Sequence, residues 1–274
     1  MIAIGAGFFG SLIGSFLNVV IFRVPAGRSI VSPPSACGSC GAAVRPFDNL
    51  PVLSWLVLRG KCRDCHATIS ARYPLVELGT ALFFAAVAWF VLSGPRADAG
   101  IAGGQTIATV LVLVAFLYFA AISVALTMID LDTQRLPNSI VLPAYPVGAV
   151  LLTAAALFAG QPERLATMAV GGVGLFVLYL AMASLYRGGM GFGDVKLAGV
   201  IGLYLGWLGW GALAVGAFGA FLLGGLFSLV LVLTRGATGR TAIPFGPWMI
   251  LGAWVGIFAG EQIATAYLAL FGLV

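Results

Sequence analysis

Charge is scarce in this chain. Of 274 residues, 14 are Lys or Arg and nine are Asp or Glu, together 8%, where a soluble domain carries about 25%. With 61% hydrophobic residues and a mean hydropathy of +1.09, that deficit excludes a soluble globular fold. The net charge of +5 is small, and no nucleic-acid partner is expected. Histidine is rarer still: His66 is the only one. A nucleophile activated by an imidazole base would have to use it, and it lies in a polar loop directly after Cys65, away from any membrane-facing nucleophile. No strand–helix G-x-G-x-x-G fingerprint is present to cradle a nucleotide. A basic leader is missing as well, so Met1–Phe22 reads as a span and not as a cleavable signal.

What is abundant is apolar sequence in runs of about 20 residues, the length that crosses a bilayer. Eight spans are expected, at roughly 2–22, 74–92, 105–129, 140–159, 167–186, 195–209, 212–234 and 246–272. The sixth is short, and its Gly199, Gly202, Gly206 and Gly209 line one face, which points to close helix packing in a tilted or broken helix. Lys and Arg set the orientation. Twelve of them follow spans 1, 3, 5 and 7: Arg23, Arg28, Arg45, Arg59, Lys61, Arg63, Arg72, Arg135, Arg187, Lys196, Arg235 and Arg240. The opposite side has two, Arg96 and Arg164. The positive-inside bias makes the basic side cytoplasmic and puts both termini outside.

One long polar stretch, about 23–73, interrupts the spans and holds all four cysteines, as Cys37-Gly-Ser-Cys40 and Cys62-Arg-Asp-Cys65. Paired C-x-x-C knuckles set four thiolates at the corners of a tetrahedron, which suits Zn²⁺. Two disulfides are disfavoured on a reducing cytoplasmic side. A redox role lacks the surrounding βαβ pattern. The reading is a structural zinc ribbon with Cys37, Cys40, Cys62 and Cys65 as ligands and His66 as a bystander.

The acidic residues carry the remaining chemistry. Asp48 and Asp64 belong to the polar loop, and Asp98 and Glu163 to outward loops. Glu77, Asp130, Asp132, Asp194 and Glu261 lie in or beside spans, where an unpaired charge costs several kcal/mol. Ile129-Asp130-Leu131-Asp132 and Gly191-Phe192-Gly193-Asp194 share the cytoplasmic side. Two carboxylates brought together from different helices can split their titrations, one ionised to activate water and one protonated to donate, with no metal or covalent intermediate. Gly191 and Gly193 would let backbone and substrate approach closely. The blander alternatives are an N-cap role for Asp194 and a solvated interfacial role for one of Asp130 and Asp132.

At this point the chain resembles the type IV prepilin peptidases, the bifunctional leader peptidase/N-methyltransferases. The motifs run in the family's order across nearly the whole chain. They are Gly14-Ser-Phe-Leu-Asn18 through Arg23-Val-Pro25, the two C-x-x-C knuckles, Ser70-Ala-Arg72-Tyr73-Pro74-Leu-Val-Glu77, and Ile129-Asp130-Leu-Asp132 through Leu136-Pro137-Asn138. Gly191-Phe-Gly-Asp194-Val-Lys196 and Ile243-Pro244-Phe245-Gly246-Pro247 complete the series.

The resemblance implies that the catalytic pair is Asp130, seven residues before Pro137, and Asp194, with Asp132 as the runner-up. It also implies cleavage of prepilins and pseudopilins at the cytoplasmic face of the bacterial inner membrane, after a Gly that ends a basic leader. S-adenosylmethionine-dependent methylation of the new N-terminus follows, and that activity rests wholly on the resemblance. Gly191, Gly193, Lys196, Asp132 and Glu77 are the expected supporting residues. Lys196 would tune the pair or anchor its span at the headgroups, and Glu77 would pair with Arg72 or Lys196; Glu261 is given no role. The expected architecture is an all-α polytopic membrane protein: span 1–22, zinc-ribbon-like insertion 23–73, and a seven-helix protease domain 74–274. The oligomeric state is left open. Two other readings are a presenilin-like intramembrane aspartyl protease and a transporter or assembly scaffold.

Overall fold

The computed structural model describes residues 1–93, 104–185, 190–235 and 244–273. Arg96, Asp98, Arg187, Arg240 and Ile243 lie outside them. The elements are α1 (Ile2–Arg23), a 3₁₀ turn (Pro46–Asn49), α2 (Leu53–Val57), α3 (Arg72–Ser93), α4 (Gly104–Thr133), α5 (Asn138–Phe158), α6 (Glu163–Leu185), α7 (Phe192–Leu208), α8 (Trp210–Arg235) and α9 (Gly246–Ala269). Among the described residues there is no strand, only the isolated bridges Ala36↔Ala43 and Lys61↔Thr68. The all-α reading holds, and the long helices begin and end within a few residues of the apolar runs.

Seven helices, α1, α3, α4, α5, α6, α8 and α9, are long and apolar enough to cross a membrane. The remaining expected span, the sixth, is α7, which has 17 residues and falls short of that length. It is one unbroken helix and not a broken one. Thirteen of its residues are buried, so its glycines serve packing against neighbouring helices and not exposure to lipid.

The chain divides into two compact units. One is drawn from Met1–Gly100 and Phe116–Met128, the other from Ile101–Ala115 and Ile129–Val274, so α4 contributes to both. In the first unit α1 and α3 pack closely because Gly10 and Gly14 leave room. A Cβ at Gly10 would sit 2.7 Å from the Phe84 Cβ, and one at Gly14 2.7 Å from the Glu77 Cα. The string Gly5-Ala-Gly7-Phe-Phe-Gly10 spells G-x-G-x-x-G but lies inside α1, where it packs a helix and cradles nothing.

In the second unit α7 is gripped on several sides. Gly171 of α6 meets Gly202 and Gly206 of α7 backbone to backbone. Tyr145 of α5 donates its hydroxyl to the Lys196 carbonyl at 2.6 Å, over Gly199. Trp207 Nε1 donates to the Leu152 carbonyl at 3.0 Å, and the Tyr204 hydroxyl to the Ala115 carbonyl at 3.3 Å. Glu261 of α9, expected to be idle, accepts from the Ala212 N–H at 3.3 Å. It satisfies one of the orphan donors in the first turn of α8, the service an N-cap side chain gives.

Candidate functional site

Asp130 lies in the last turn of α4 and is 4% exposed. The helix is 30 residues long, about 45 Å at 1.5 Å per residue, longer than a ~30 Å hydrocarbon core is thick. Asp132, two residues on, falls on the other side of the helix and is exposed. After Thr133 the chain turns through Gln134 at φ 52° and passes Leu136 and Pro137 into α5.

Asp194 is the third residue of α7, whose N-cap is Gly191. It is therefore not the N-cap itself. Its Oδ2 reaches back to accept the Gly191 N–H at 3.1 Å. Gly193 lies against Leu136, where a Cβ would come 3.0 Å from the Leu136 Cβ.

The third strut is at the start of α9. The Gly246 N–H donates to Asp130 Oδ2 at 3.0 Å. Leu136 touches this glycine too, with its Cδ2 3.4 Å from where a Cβ would stand. The α4–α5 turn, the Gly-Phe-Gly-Asp segment and the α9 start thus converge on one place. Asp130 and Asp194 are near enough for their charges to interact. Both face the positive end of a helix, which offsets part of the cost of a negative charge away from water.

Behind them stands an aromatic wall. Tyr179 of α6 is 2% exposed and packs on Phe221 at 5.4 Å and Phe245 at 6.4 Å between ring centroids. Phe245 directly precedes Gly246, and Tyr179 lies within range of the Asp194 charge. Sequence reasoning missed Tyr179 and the Gly246 donor. The Pro244-Phe245-Gly246-Pro247 motif was the available signal, but its spacing carries no hint that a backbone N–H is what it supplies.

The supporting residues separate. Lys196 donates to Asn138 Oδ1 at 2.8 Å and lies 4.6 Å over the Phe192 ring. It thereby ties α7 to the first residue of α5. Glu77 does not pair with a cation. Its Oε2 accepts the Val52 N–H at 2.7 Å.

The four cysteines come together. Their Sγ atoms all lie within 4.8 Å of one another, and those of Cys37 and Cys65 are 3.8 Å apart. A tetrahedral Zn²⁺ with Zn–S bonds of about 2.3 Å requires sulfurs about 3.8 Å apart, so the donor set fits the ion. The knuckles share one design. Cys37 N–H bonds the Ala42 carbonyl and Cys62 N–H the Ala67 carbonyl, each at 2.8 Å. The residue after each second cysteine has a positive φ, Gly41 at 73° and His66 at 58°. His66 is thus a turn residue, in a conformation that His tolerates better than most.

The thiols are split in acidity. Cys37 is drawn down to about 6, first by the Cys40 backbone hydrogen bond and then by that of Ser39. For Cys65 the Ala67 backbone N–H favours the thiolate. Its thiol neighbours Cys40, Cys62 and Cys37, with burial, outweigh that and push it up to about 12. A bound cation removes that mutual penalty, because four thiolates are what it requires.

Comparison with known proteins agrees with this arrangement. Residues 8–91 match the model of the bacterial peptidase A24 N-terminal domain, and residues 116–231 that of the type IV leader peptidase family. A prepilin leader peptidase/N-methyltransferase of Pseudomonas aeruginosa is 34% identical over 287 residues, covering 96% of this chain and 92% of its own length. Proteins of the same description from Aeromonas hydrophila, 35% identical with 96% and 92% covered, and Neisseria gonorrhoeae, 34% with 95% and 92%, are similarly close. No solved structure matches the chain. None of these relatives is a presenilin or a carrier. With about a third of its residues identical to theirs over almost the full length, and both domain models matched in order, this multi-pass membrane protein belongs to the type IV leader peptidase family.

Proposed function

We propose that this chain cleaves the leader peptides of prepilins and pseudopilins and then methylates the new N-terminus, with Asp130 and Asp194 as the catalytic pair. The observation that carries the reading is the convergence of three separate segments on these carboxylates. Residues 129–136, 191–194 and 245–246 meet there, and the Gly246 N–H fixes Asp130.

One carboxylate, ionised, takes a proton from a water molecule as its oxygen attacks the scissile carbonyl. The other, protonated, gives its proton to the carbonyl oxygen. Collapse of the tetrahedral species breaks the C–N bond, and the amine leaves with a proton returned from the pair. Asp132 is exposed on the opposite side of α4 and takes no part. A prepilin's basic leader and apolar helix would bring the scissile bond to the cytoplasmic face of the inner membrane, where the basic loops put this end of α4.

Residues 23–73 form the zinc-ribbon-like part, with Zn²⁺ held by Cys37, Cys40, Cys62 and Cys65 in a closed, structural site. S-adenosylmethionine supplies the methyl group. No strand-and-glycine cradle for it exists among the described residues, so the methyltransferase half rests on the relatives.

The test is cleavage of a reconstituted prepilin by wild type, Asp130→Asn, Asp194→Asn and Asp132→Asn. Loss in the first two variants with Asp132→Asn still active is the expected result. Cleavage by both of the first two would end the aspartic mechanism.

A further inference from the structure

The ribbon is not polar on all sides. Along its segment from Pro46 to Val57, Phe47, Leu50, Leu53, Leu56 and Val57 are 60%, 54%, 61%, 57% and 76% exposed. Within α2, Leu53, Leu56 and Val57 stand at i, i+3 and i+4 and so share one side of the helix, with Leu50 and Phe47 exposed in the segment that leads into it. Trp55 is turned the other way: its Nε1 donates to the Ile69 carbonyl at 3.0 Å and its ring closes over Gly60. An apolar face this continuous marks a contact surface.

Its height is set by Glu77. That residue lies five positions past Arg72, so about 7.5 Å along α3 at 1.5 Å per residue, and it packs on Gly14 within α1. Both helices are membrane spans. The 2.7 Å bond from the Val52 N–H to Glu77 Oε2 therefore draws the loop down beside the membrane-crossing part of α1 and α3. Val52 itself has φ 62°, a conformation that costs a β-branched residue strain, and it is held there by that bond. Backbone at such depth needs its polar groups satisfied, which gives the buried carboxylate its reason to be present.

Charge completes the pattern. Arg45 is paired with Asp64 at 2.8 Å and Arg63 with Asp48 at 2.8 Å, whereas Arg59 and Lys61, both exposed, follow the apolar face directly. Apolar residues on one side with cations at the end of the segment match an anionic lipid interface.

We propose that Pro46–Lys61 is an interfacial element. Leu50, Leu53, Leu56 and Val57 embed at the headgroup–acyl boundary of the bilayer that α1 and α3 cross, and Arg59 and Lys61 rest among anionic headgroups. The ribbon is thereby moored against the membrane at a fixed height. This goes beyond cleavage and methylation and does not depend on either.

The test uses the full-length protein in vesicles of phosphatidylethanolamine and phosphatidylglycerol. p-Benzoylphenylalanine replaces Leu53, Leu56 or Val57, or, as a control, Gly38, whose surroundings are open. After irradiation, intact-mass analysis is expected to find phospholipid adducts at the three apolar positions at least fivefold above Gly38. Val57, the most exposed, gives the same reading should substitution at Leu53 disturb α2. Crosslinks joining two chains would assign the face to a second copy and overturn the proposal. Lipid adducts no more frequent than at Gly38 would overturn it as well.

Discussion

The backbone N–H of Gly246 donates a 3.0 Å hydrogen bond to Asp130 Oδ2 across 116 residues of sequence. Gly246 opens α9, so the donor is one of the orphan N–H groups of a helix start, and the carboxylate completes it. A Cβ at this position would stand 2.7 Å from the same oxygen. Gly246→Ala must therefore displace Asp130. Loss of a positioned bond to a charged group is worth about 1.5–3 kcal/mol, so kcat for prepilin cleavage is expected to fall about 10–100-fold. Thermal melting in detergent is expected to change little. Wild-type turnover by this variant would remove Gly246 from the site.

The two glycines before Asp194 differ in what surrounds them. At Gly191 a Cβ would meet Asp194 Oδ2 at 3.4 Å, an ordinary contact, and its φ of −77° suits any residue. At Gly193 a Cβ would press on the Leu136 Cβ at 3.0 Å. Leu136 also borders Gly246, so the push passes to the Asp130 side. Cleavage rates should separate them: Gly191→Ala within about twofold of wild type, Gly193→Ala down several-fold, since a shift of a fraction of an ångström at reacting groups is costly. Equal rates for the two would show that the close approach at Gly193 has no catalytic weight.

Much of this was legible in the sequence, and the parts that were not have a common cause. Hydropathy runs located the long helices because lipid exposure demands continuous apolar sequence. Spacing located the cysteines because two C-x-x-C knuckles are local motifs. Asp130 and Asp194 were found because a carboxylate is conspicuous in a chain this apolar. Most of the hidden relationships are long-range, and several involve backbone groups, which leave no mark on residue identity. Glu77 was expected to find Arg72 or Lys196, but it accepts from the N–H of Val52. Glu261 was given no role, and it serves the first turn of α8. Lys196 went to Asn138, 58 residues away, over a ring it stacks upon. For α7, the glycines were read as a packing stripe in a tilted or broken helix. They do pack, letting α6 approach closely, but the helix they lie on is intact.

That packing gives a stability prediction. Gly202 of α7 lies against the Gly171 backbone, and Gly206 against that of Thr167, with no room for a methyl group. Gly174, on the same α6, has nothing within 4 Å of a Cβ. Gly202→Ala has to push two helix backbones apart, and overpacking of this kind costs about 1–3 kcal/mol. It should lower the melting temperature and the yield of folded protein in detergent, whereas Gly174→Ala should melt as wild type does. Matching melts would mean that the α6–α7 contact is looser than these distances require.

The cysteine cluster joins two knuckles that are 25 positions apart from Cys37 to Cys62, in a segment with little regular structure to hold it otherwise. Apart from the thiol cluster, the segment is held by the Arg45–Asp64 and Arg63–Asp48 pairs, by turn hydrogen bonds, and by Trp55 over Gly60 with its bond to the Ile69 carbonyl. An ion held by the four thiols would therefore supply a large part of what folds this segment. Metal analysis of the purified protein should return one zinc per chain, and Cys40→Ser should return far less. Limited proteolysis should cut the Cys40→Ser variant between residues 37 and 65 at sites closed in the wild type. The α1–α3 contact, built from Gly10, Gly14 and Phe84, uses no sulfur, so the helices should melt as before. A wild type that carries no zinc yet resists the protease equally would show that the thiols cluster for some other reason.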